Sequence, residues 1–342
     1  MEPVRIGLMG LGAWARQAYL PVLKDCAKAQ VVAVSARTEE TLGFARQQFG
    51  DGIAGYGDLR ELANDPTVEA VMIALPNRLH AAAARAALAA GKHVFIEPPV
   101  GFDEREIREV LGLAAAADVV FQTDLELRYT PVMGVVAEEA TSGVLGESLM
   151  ATMRLWCGWG YGGGDWQQAA EDQGFFLWLG CWYLDVLDRV FGAAPLRASV
   201  TGGRAMNGSL MDHGWATLEY PDDCLGQFEF SLVAPEEQEV SVRVTGTEGE
   251  IEADLWSGRY RRRRRGGDWA RDAAPPSQPI HGFSGMRESI LSFLDCVQSG
   301  SRPVADVEVS RRVHEAALAC MGSEQRGETV ACPFPGAPIV AG

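Results

Sequence analysis

The first 122 residues alternate between short apolar runs and longer stretches with helical periodicity. Runs at 4–9 (VRIGLM), 31–35 (VVAVS), 69–74 (EAVMIA), 93–96 (HVFI) and 119–122 read as strands. They are apolar at nearly every position rather than every second one, which predicts strands buried on both faces of a parallel sheet. Segments 14–28, 38–49, 78–90 and 103–117 predict the helices between them. Strands alternating with helices of this length imply crossover units. After about residue 123 the period changes. Segments 147–155, 195–204, 214–220, 225–233 and 239–245 show two-residue alternation, with turns at PDD (221–223), APEE (234–237) and GTEG (246–249). That pattern predicts a mostly antiparallel sheet with one open face. Helices are expected at 130–142, 174–191, 284–299 and 309–325, and a surface loop at 266–279. The 342 residues exceed one ordinary core, so two domains are expected, 1–122 and 123–342.

Composition narrows the function class. Apolar residues make up 47% and charged residues 22%, a balance that favours a folded chain over a disordered one. A net charge of −16 argues against nucleic-acid or anionic-membrane partners, which select positive surfaces. The run Arg259-Tyr260-Arg261 to Arg265 therefore reads as a solvated hairpin. No apolar run reaches the roughly 20 residues that span a bilayer, and no leader pattern opens the chain. Seven scattered cysteines without a CxxC pair predict reduced thiols in a cytoplasmic protein and no metal site. No lysine follows Lys92, so none later in the chain is available as an acid or base.

Residues 7–15 read Gly-Leu-Met-Gly-Leu-Gly-Ala-Trp-Ala, with Gly10, Gly12 and Ala15 fitting G-x-G-x-x-G/A. The motif lies between a predicted strand and a predicted helix, the context in which it binds a dinucleotide. Gly10 permits the turn, Gly12 lets backbone approach a pyrophosphate, and Ala15 allows close helix packing. The amides of Ala13 and Trp14 then face the phosphates. The second strand ends in Ser35-Ala36-Arg37-Thr38 rather than in the acidic residue that holds the ribose of NAD. A guanidinium and two hydroxyls suit a 2′-phosphate, so NADP is favoured over NAD. Alternatively, Arg37 stacks on adenine or points into solvent.

Further motifs resemble the Gfo/Idh/MocA family, the glucose–fructose oxidoreductase and inositol dehydrogenase group, over almost the whole chain. VMIALPNRLH (71–80) is similar to the family's strand, Pro-Asn and His segment. GKHVFIEPP (91–99) stands where the family has GKHVxxEKP, and SGVLGE (142–147) and GTEG before Ile251 also match. The resemblance implies a Rossmann NAD(P)-binding domain followed by an α/β substrate domain with an open sheet, overall an α/β plus α+β chain. It implies cofactor contacts from Leu75, Pro76, Asn77, His80, Glu97 and Pro98. It also implies a homodimer or homotetramer joined through the open sheet. Two positions depart from the pattern. The EKP lysine is Pro99, and in the segment resembling D-x-G-x-H-x-x-D the histidine is Trp182, leaving Asp185 alone of the motif's Asp and His positions. Neither proline nor indole exchanges protons near neutral pH. X–Pro bonds tolerate cis, which makes Pro98–Pro99 a candidate.

Five of nine tryptophans, Trp156, Trp159, Trp166, Trp178 and Trp182, fall in one stretch with Tyr161, Phe175, Phe176 and Tyr183. Aromatic walls suit planar or apolar substrates, and equally a core or a subunit interface. Trp178, Trp182 and Asp185 recur at i, i+4, i+7, which places them on one helix face without separating pocket from core. Candidate acids or bases are Asp185, Tyr183, Tyr161, Asp172 and His281. Candidate substrate contacts are Trp182, Trp178, Trp166, Asp172 and Arg128; Arg128 could equally serve as a tie. His93 reads as structural, and His213 and His314 carry no motif. The expectation is an NAD(P)-dependent oxidoreductase of a small organic molecule, leaning to imine or polarised C=C reduction. A non-catalytic cofactor sensor and a sugar dehydrogenase with substituted acid–base residues are the alternatives.

Overall fold

The computed structural model describes residues 2–158, 173–205, 210–234, 238–275 and 285–333. The chain forms two compact units, one taking in Met1–Asp124 and Pro279–Ser310, the other Leu125–Gln278 and Arg311–Ala337.

The first unit runs β1 (Val4–Met9), α1 (Ala13–Ala18), α2 (Leu20–Leu23), β2 (Ala29–Ser35), α3 (Glu39–Phe49), β3 (Ala54–Tyr56) and α4 (Leu59–Asn64). It continues through β4 (Ala70–Ile73), α5 (His80–Ala89), β5 (His93–Ile96), α6 (Glu104–Ala116) and β6 (Phe121–Thr123). All pairings are parallel, in the order β3-β2-β1-β4-β5-β6. This is the doubly wound Rossmann arrangement, with its topological switch point between β1 and β4. The apolar runs are buried as expected: every residue of β4 is inaccessible. The predicted helix at 14–28 is two short helices joined through Tyr19, with Pro21 in the first turn of the second.

The second unit holds α7 (Pro131–Thr141), β7 (Ser148–Trp156), a π-helical turn (Phe176–Gly180), α8 (Cys181–Phe191) and β8 (Arg197–Gly203). Then follow β9 (His213–Glu219), β10 (Leu225–Ser231), β11 (Glu239–Gly246), β12 (Gly249–Asp254), β13 (Arg259–Arg264) and β14 (Ala270–Ala273). The next helix, α9 (Met286–Ser299), returns to the first unit. α10 (Val307–Arg326) belongs to the second unit from Arg311 on, and β15 (Val330–Ala331) pairs with β8. The nine strands lie in the order β14-β13-β12-β11-β7-β10-β9-β8-β15, all antiparallel except β7 with β10. One face packs Phe228 and Phe230 against Phe175, Phe176 and Tyr183. Alternate residues on the other face include the exposed Met150, Trp156, Trp215 and Leu225.

Two expectations about organisation are corrected. The 284–299 helix, placed by sequence order in the second domain, belongs to the first: Phe293 of α9 packs on Phe95 of β5 with ring centroids 5.4 Å apart. Residues 270–273, expected within a loop, form β14 because they pair with the arginine strand β13. Three of that strand's five arginines are partnered: Arg261 with Glu252, Arg263 with Glu250 and Arg262 with Glu139. Among the described residues no helix is long and apolar enough to cross a membrane. All seven cysteines are free thiols.

Candidate functional site

A cleft of about 1090 Å³ opens in the first unit beyond the carboxyl ends of β1, β2, β3 and β4. Ligands of doubly wound sheets bind at this place because the crossovers leave the switch point in opposite directions. Gly10 and Gly12 follow β1 at its floor. Gly10 has φ +99°, which favours glycine, and a Cβ there would overlap the carbonyl of Ala74 after β4. Gly12 caps α1 in extended backbone, and a Cβ on it would meet nothing within 4 Å. The turn needs glycine at the first position. At the second, a Cβ would project only into the open space of the cleft that Gly12 lines. Ala13 also lines the cleft.

Ser35, Arg37 and Thr38 line the same cleft at the end of β2. Thr38 is partly committed: its Oγ1 caps α3 by accepting the Thr41 amide at 3.2 Å, and it shares a hydrogen bond with Thr41 Oγ1 at 3.0 Å. Only one hydroxyl hydrogen of that pair is left for a ligand. Leu75 and Pro76 form the opposite wall after β4.

The other expected cofactor contacts, Trp14, Asn77, His80, Glu97 and Pro98, are not among the residues lining this cleft. His80 is 1% exposed, with Nδ1 2.8 Å from the Pro99 carbonyl and Nε2 2.7 Å from the Leu75 carbonyl. Burial pushes its imidazole below the usual range against the pull of the two carbonyls, and in the neutral form the ring donates to only one of them. Glu97 is buried at the end of β5. Its Oε1 accepts Trp14 Nε1 and Tyr19 OH, each at 2.6 Å. The Trp14 side chain thus anchors the glycine loop to β5. The Glu97 carboxyl also shares a hydrogen bond with Asp124, which accepts Ser289 Oγ at 2.7 Å. Burial raises the Glu97 carboxyl to about 7. Pro98 and Pro99 are buried, and the bond between them is cis, as the sequence anticipated. Asn77 is half-buried in a 3-10 turn ahead of α5.

Within the second unit, Asp185 and Arg128 were candidates for chemistry and substrate contact, and the structure gives them to each other. Arg128 donates Nε and Nη2 to Asp185 at 2.5–3.1 Å and Nη2 to Asp188 at 2.6 Å. Arg312 completes the group on Asp188. Asp185 is fully inaccessible and Arg128 5% exposed. Burial pushes the Asp185 carboxyl up to about 6 against the pull of Arg128. The pair is still charged at neutral pH and serves as an internal tie. Tyr183 is likewise core, 5.5 Å from Phe228 and stacked on it, with burial raising its hydroxyl. Trp178 is buried in the π-turn, whose wider winding takes it out of the simple i, i+4 relation with Trp182. Trp182 is half-buried, and its Nε1 has no hydrogen-bond partner among the described residues. Tyr161, Trp159, Trp166, Asp172 and His281 lie outside the described residues.

Sequence reasoning missed β3 and α4, and with them Gly57 and Arg60 of the cleft. A signal was there: Asp58, three residues before Glu61, has capping-box spacing, and Asp58 Oδ1 accepts the Arg60 amide at 2.6 Å.

A switch-point cleft with a glycine turn and a basic rim is the arrangement of a dinucleotide-binding Rossmann domain. Residues 4–125 match the family model described as "Oxidoreductase family, NAD-binding Rossmann fold", and residues 135–252 match the GFO/IDH/MocA C-terminal domain. The chain belongs to the Gfo/Idh/MocA family of oxidoreductases. Trans-1,2-dihydrobenzene-1,2-diol dehydrogenase of Mus musculus is 31% identical over 231 residues, 67% of this chain and 68% of that one. The Bos taurus enzyme of the same name is 32% identical over 67% and 68%. Among solved structures, a levoglucosan dehydrogenase complexed with NADH and levoglucosan superposes with TM-score 0.84 at 17% identity, covering 98% of this chain and all of that one. The aldose-aldose oxidoreductase of Caulobacter crescentus gives 0.84 at 19%, covering 96% and 99%. At such identities these two structures establish the fold alone.

Proposed function

We propose that this protein uses NADP(H) to move hydride to or from a small organic molecule, with reduction of an imine or polarised C=C bond as its principal chemistry. The observation that carries this reading is an intact cofactor cleft in a chain whose positions 99 and 182 hold no ionisable side chain. Oxidising an alcohol requires a group to take the hydroxyl proton, and losing a positioned acid or base costs about 10²–10⁴ in rate. A protonated imine already carries its proton. A conjugated C=C takes one away from the carbon that receives hydride.

The bound nicotinamide supplies the hydride. The amides of Ala13 and Trp14 would hold the pyrophosphate, and Arg37 with the hydroxyls of Ser35 and Thr38 would hold the 2′-phosphate. Leu75 and Pro76 wall the cleft. Glu97 and His80 keep the glycine loop and the cis-proline loop in place through Trp14 and the Pro99 carbonyl. Trp182 remains the candidate substrate contact of the second unit, its N–H a donor for one polar group. Seven free thiols support a reducing, cytoplasmic setting. The exposed Met150, Trp156, Trp215 and Leu225 support association of copies through the open sheet.

The test is NADPH consumption at 340 nm with a panel of cyclic imines and enones. A parallel NADP⁺-reduction panel uses sugar alcohols and trans-1,2-dihydrobenzene-1,2-diol, the compound for which the mammalian relatives are named. Turnover confined to the reduction panel supports the reading. Turnover confined to alcohols replaces it with a dehydrogenase whose acid–base groups have moved. Cofactor binding without turnover on either panel leaves a cofactor sensor, the reading that the losses at 99 and 182 otherwise favour.

A further inference from the structure

Arg37 is not the only guanidinium placed where the ribose end of a dinucleotide lies. β2 and β3 are neighbours, with Ser35 paired to Tyr56 and the Ala36 amide donating to the Tyr56 carbonyl at 2.9 Å. The chain leaves both strands side by side, with Arg37 after the first and Arg60 after the second, and both line the cleft. The cleft's other two arginines are committed. Arg16 donates Nε to the Leu11 carbonyl at 3.0 Å and lies over Phe44 at 4.1 Å. Arg85 pairs with Glu109 at 3.0 Å. Arg37 and Arg60 are exposed and make no ion pair among the described residues. One carboxylate, Asp58, also lines the cleft on the same loop, and its Oδ1 accepts the Arg60 amide as the cap of α4. Two guanidinium groups without an ion pair among the described residues, on adjacent strand ends and beside one lining carboxylate, leave a local excess of positive charge that favours an anion.

Position decides which anion. The pyrophosphate belongs at the glycine loop after β1, and the ribose hydroxyls at the end of β2. β3 is one strand further out, on the side of β2 away from β1. A group from that loop borders the 2′ side of the ribose and not the pyrophosphate. A phosphate monoester there carries a charge of about −1.5 to −2 near neutral pH and offers three acceptor oxygens, enough for two guanidinium groups.

We propose that Arg60 is the second arm of a 2′-phosphate clamp, closing on the phosphate opposite Arg37 and setting preference for NADP(H) over NAD(H). The inference rests on the cofactor reading above, and its test separates the two. Adenosine 2′,5′-bisphosphate and adenosine 5′-monophosphate differ only in the 2′-phosphate, so their dissociation constants are compared by calorimetry for wild type, Arg37→Gln and Arg60→Gln. One charge-assisted hydrogen bond corresponds to about ten-fold in affinity. The expected result is a wild type that favours the bisphosphate, with each variant losing about ten-fold or more for it while binding the monophosphate unchanged. If Arg60→Gln leaves the preference intact while Arg37→Gln lowers it, the Arg60 inference falls and the NADP reading stands. If Arg60→Gln weakens both nucleotides equally, Arg60 contacts adenine rather than phosphate and the inference again falls. A wild type without preference overturns the NADP reading itself. Arg60 sits exposed in the first turn of α4, so the variant folds, and unchanged monophosphate binding confirms that it has.

Discussion

Glu97 shows how one side chain couples the cofactor loop to the proton. It is buried, accepts from Trp14 and Tyr19, and shares a hydrogen bond with Asp124, so one of the two carboxyls is best held protonated. Its carboxyl, ordinarily near 4.5, is raised to about 7 by burial, so the folded chain binds this proton more tightly than the unfolded one. The stability contributed by the group is therefore full below its unfolded value and lost as pH rises through about 7. Glutamine does not titrate, and its amide can accept from Trp14 and Tyr19 while donating to Asp124. The unfolding free energy of Glu97→Gln minus that of wild type should rise between about pH 5 and pH 7 and level off above that. A difference that stays flat with pH contradicts the assignment. Arg60 and Asp185 show what single residues hide. Asp185 has the spacing of a pocket residue, yet its partner Arg128 lies 57 positions earlier, and no local pattern shows a pairing at that distance.

At the scale of elements, the strands of the first sheet were legible because burial on both faces leaves an unbroken apolar signature. The glycine loop was legible from its place between strand and helix. β3 was not, since Ala-Gly-Tyr is short and only half-buried, and α4 is six residues long. The π-turn at Phe176–Gly180 was read as ordinary helix because its composition is no different. The helix that follows it carries the buried acids. Removing Arg128 leaves Asp185 and Asp188 facing one another with Arg312 as the remaining close partner of Asp188. Breaking a buried pair on one side costs about 3–5 kcal/mol. Arg128→Met should lower the urea unfolding free energy by about that amount while leaving NADPH affinity of the folded protein unchanged. A stable variant would place Arg128 at a ligand and not in the core.

The whole molecule is two units of different design. α9, far along the chain, returns to the first unit through Phe293 on Phe95, a contact that sequence order gives no means of foreseeing. The second unit presents a sheet face on which Met150 lies across from Leu225, with Trp156 and Trp215 nearby in the same layer and Arg154 packed over Trp156 at 5.0 Å. Large apolar side chains exposed on one open face support the proposal that copies associate through it. Trp215→Glu should shift the molar mass measured by light scattering from an oligomer to the 36.9 kDa monomer, with cofactor affinity retained. A monomeric wild type would contradict this assignment of the face.

The central claim is that the switch-point cleft holds NADP(H), and calorimetric titration of the cofactor-stripped protein with NADPH and NADH tests it most directly. Saturable binding of both, with NADPH the tighter by ten-fold or more, is the predicted result, since the 2′-phosphate adds at least one charge-assisted contact. Tighter binding of NADH would contradict the role given to the arginines at the ends of β2 and β3. Binding of neither would contradict the cofactor role of the cleft itself.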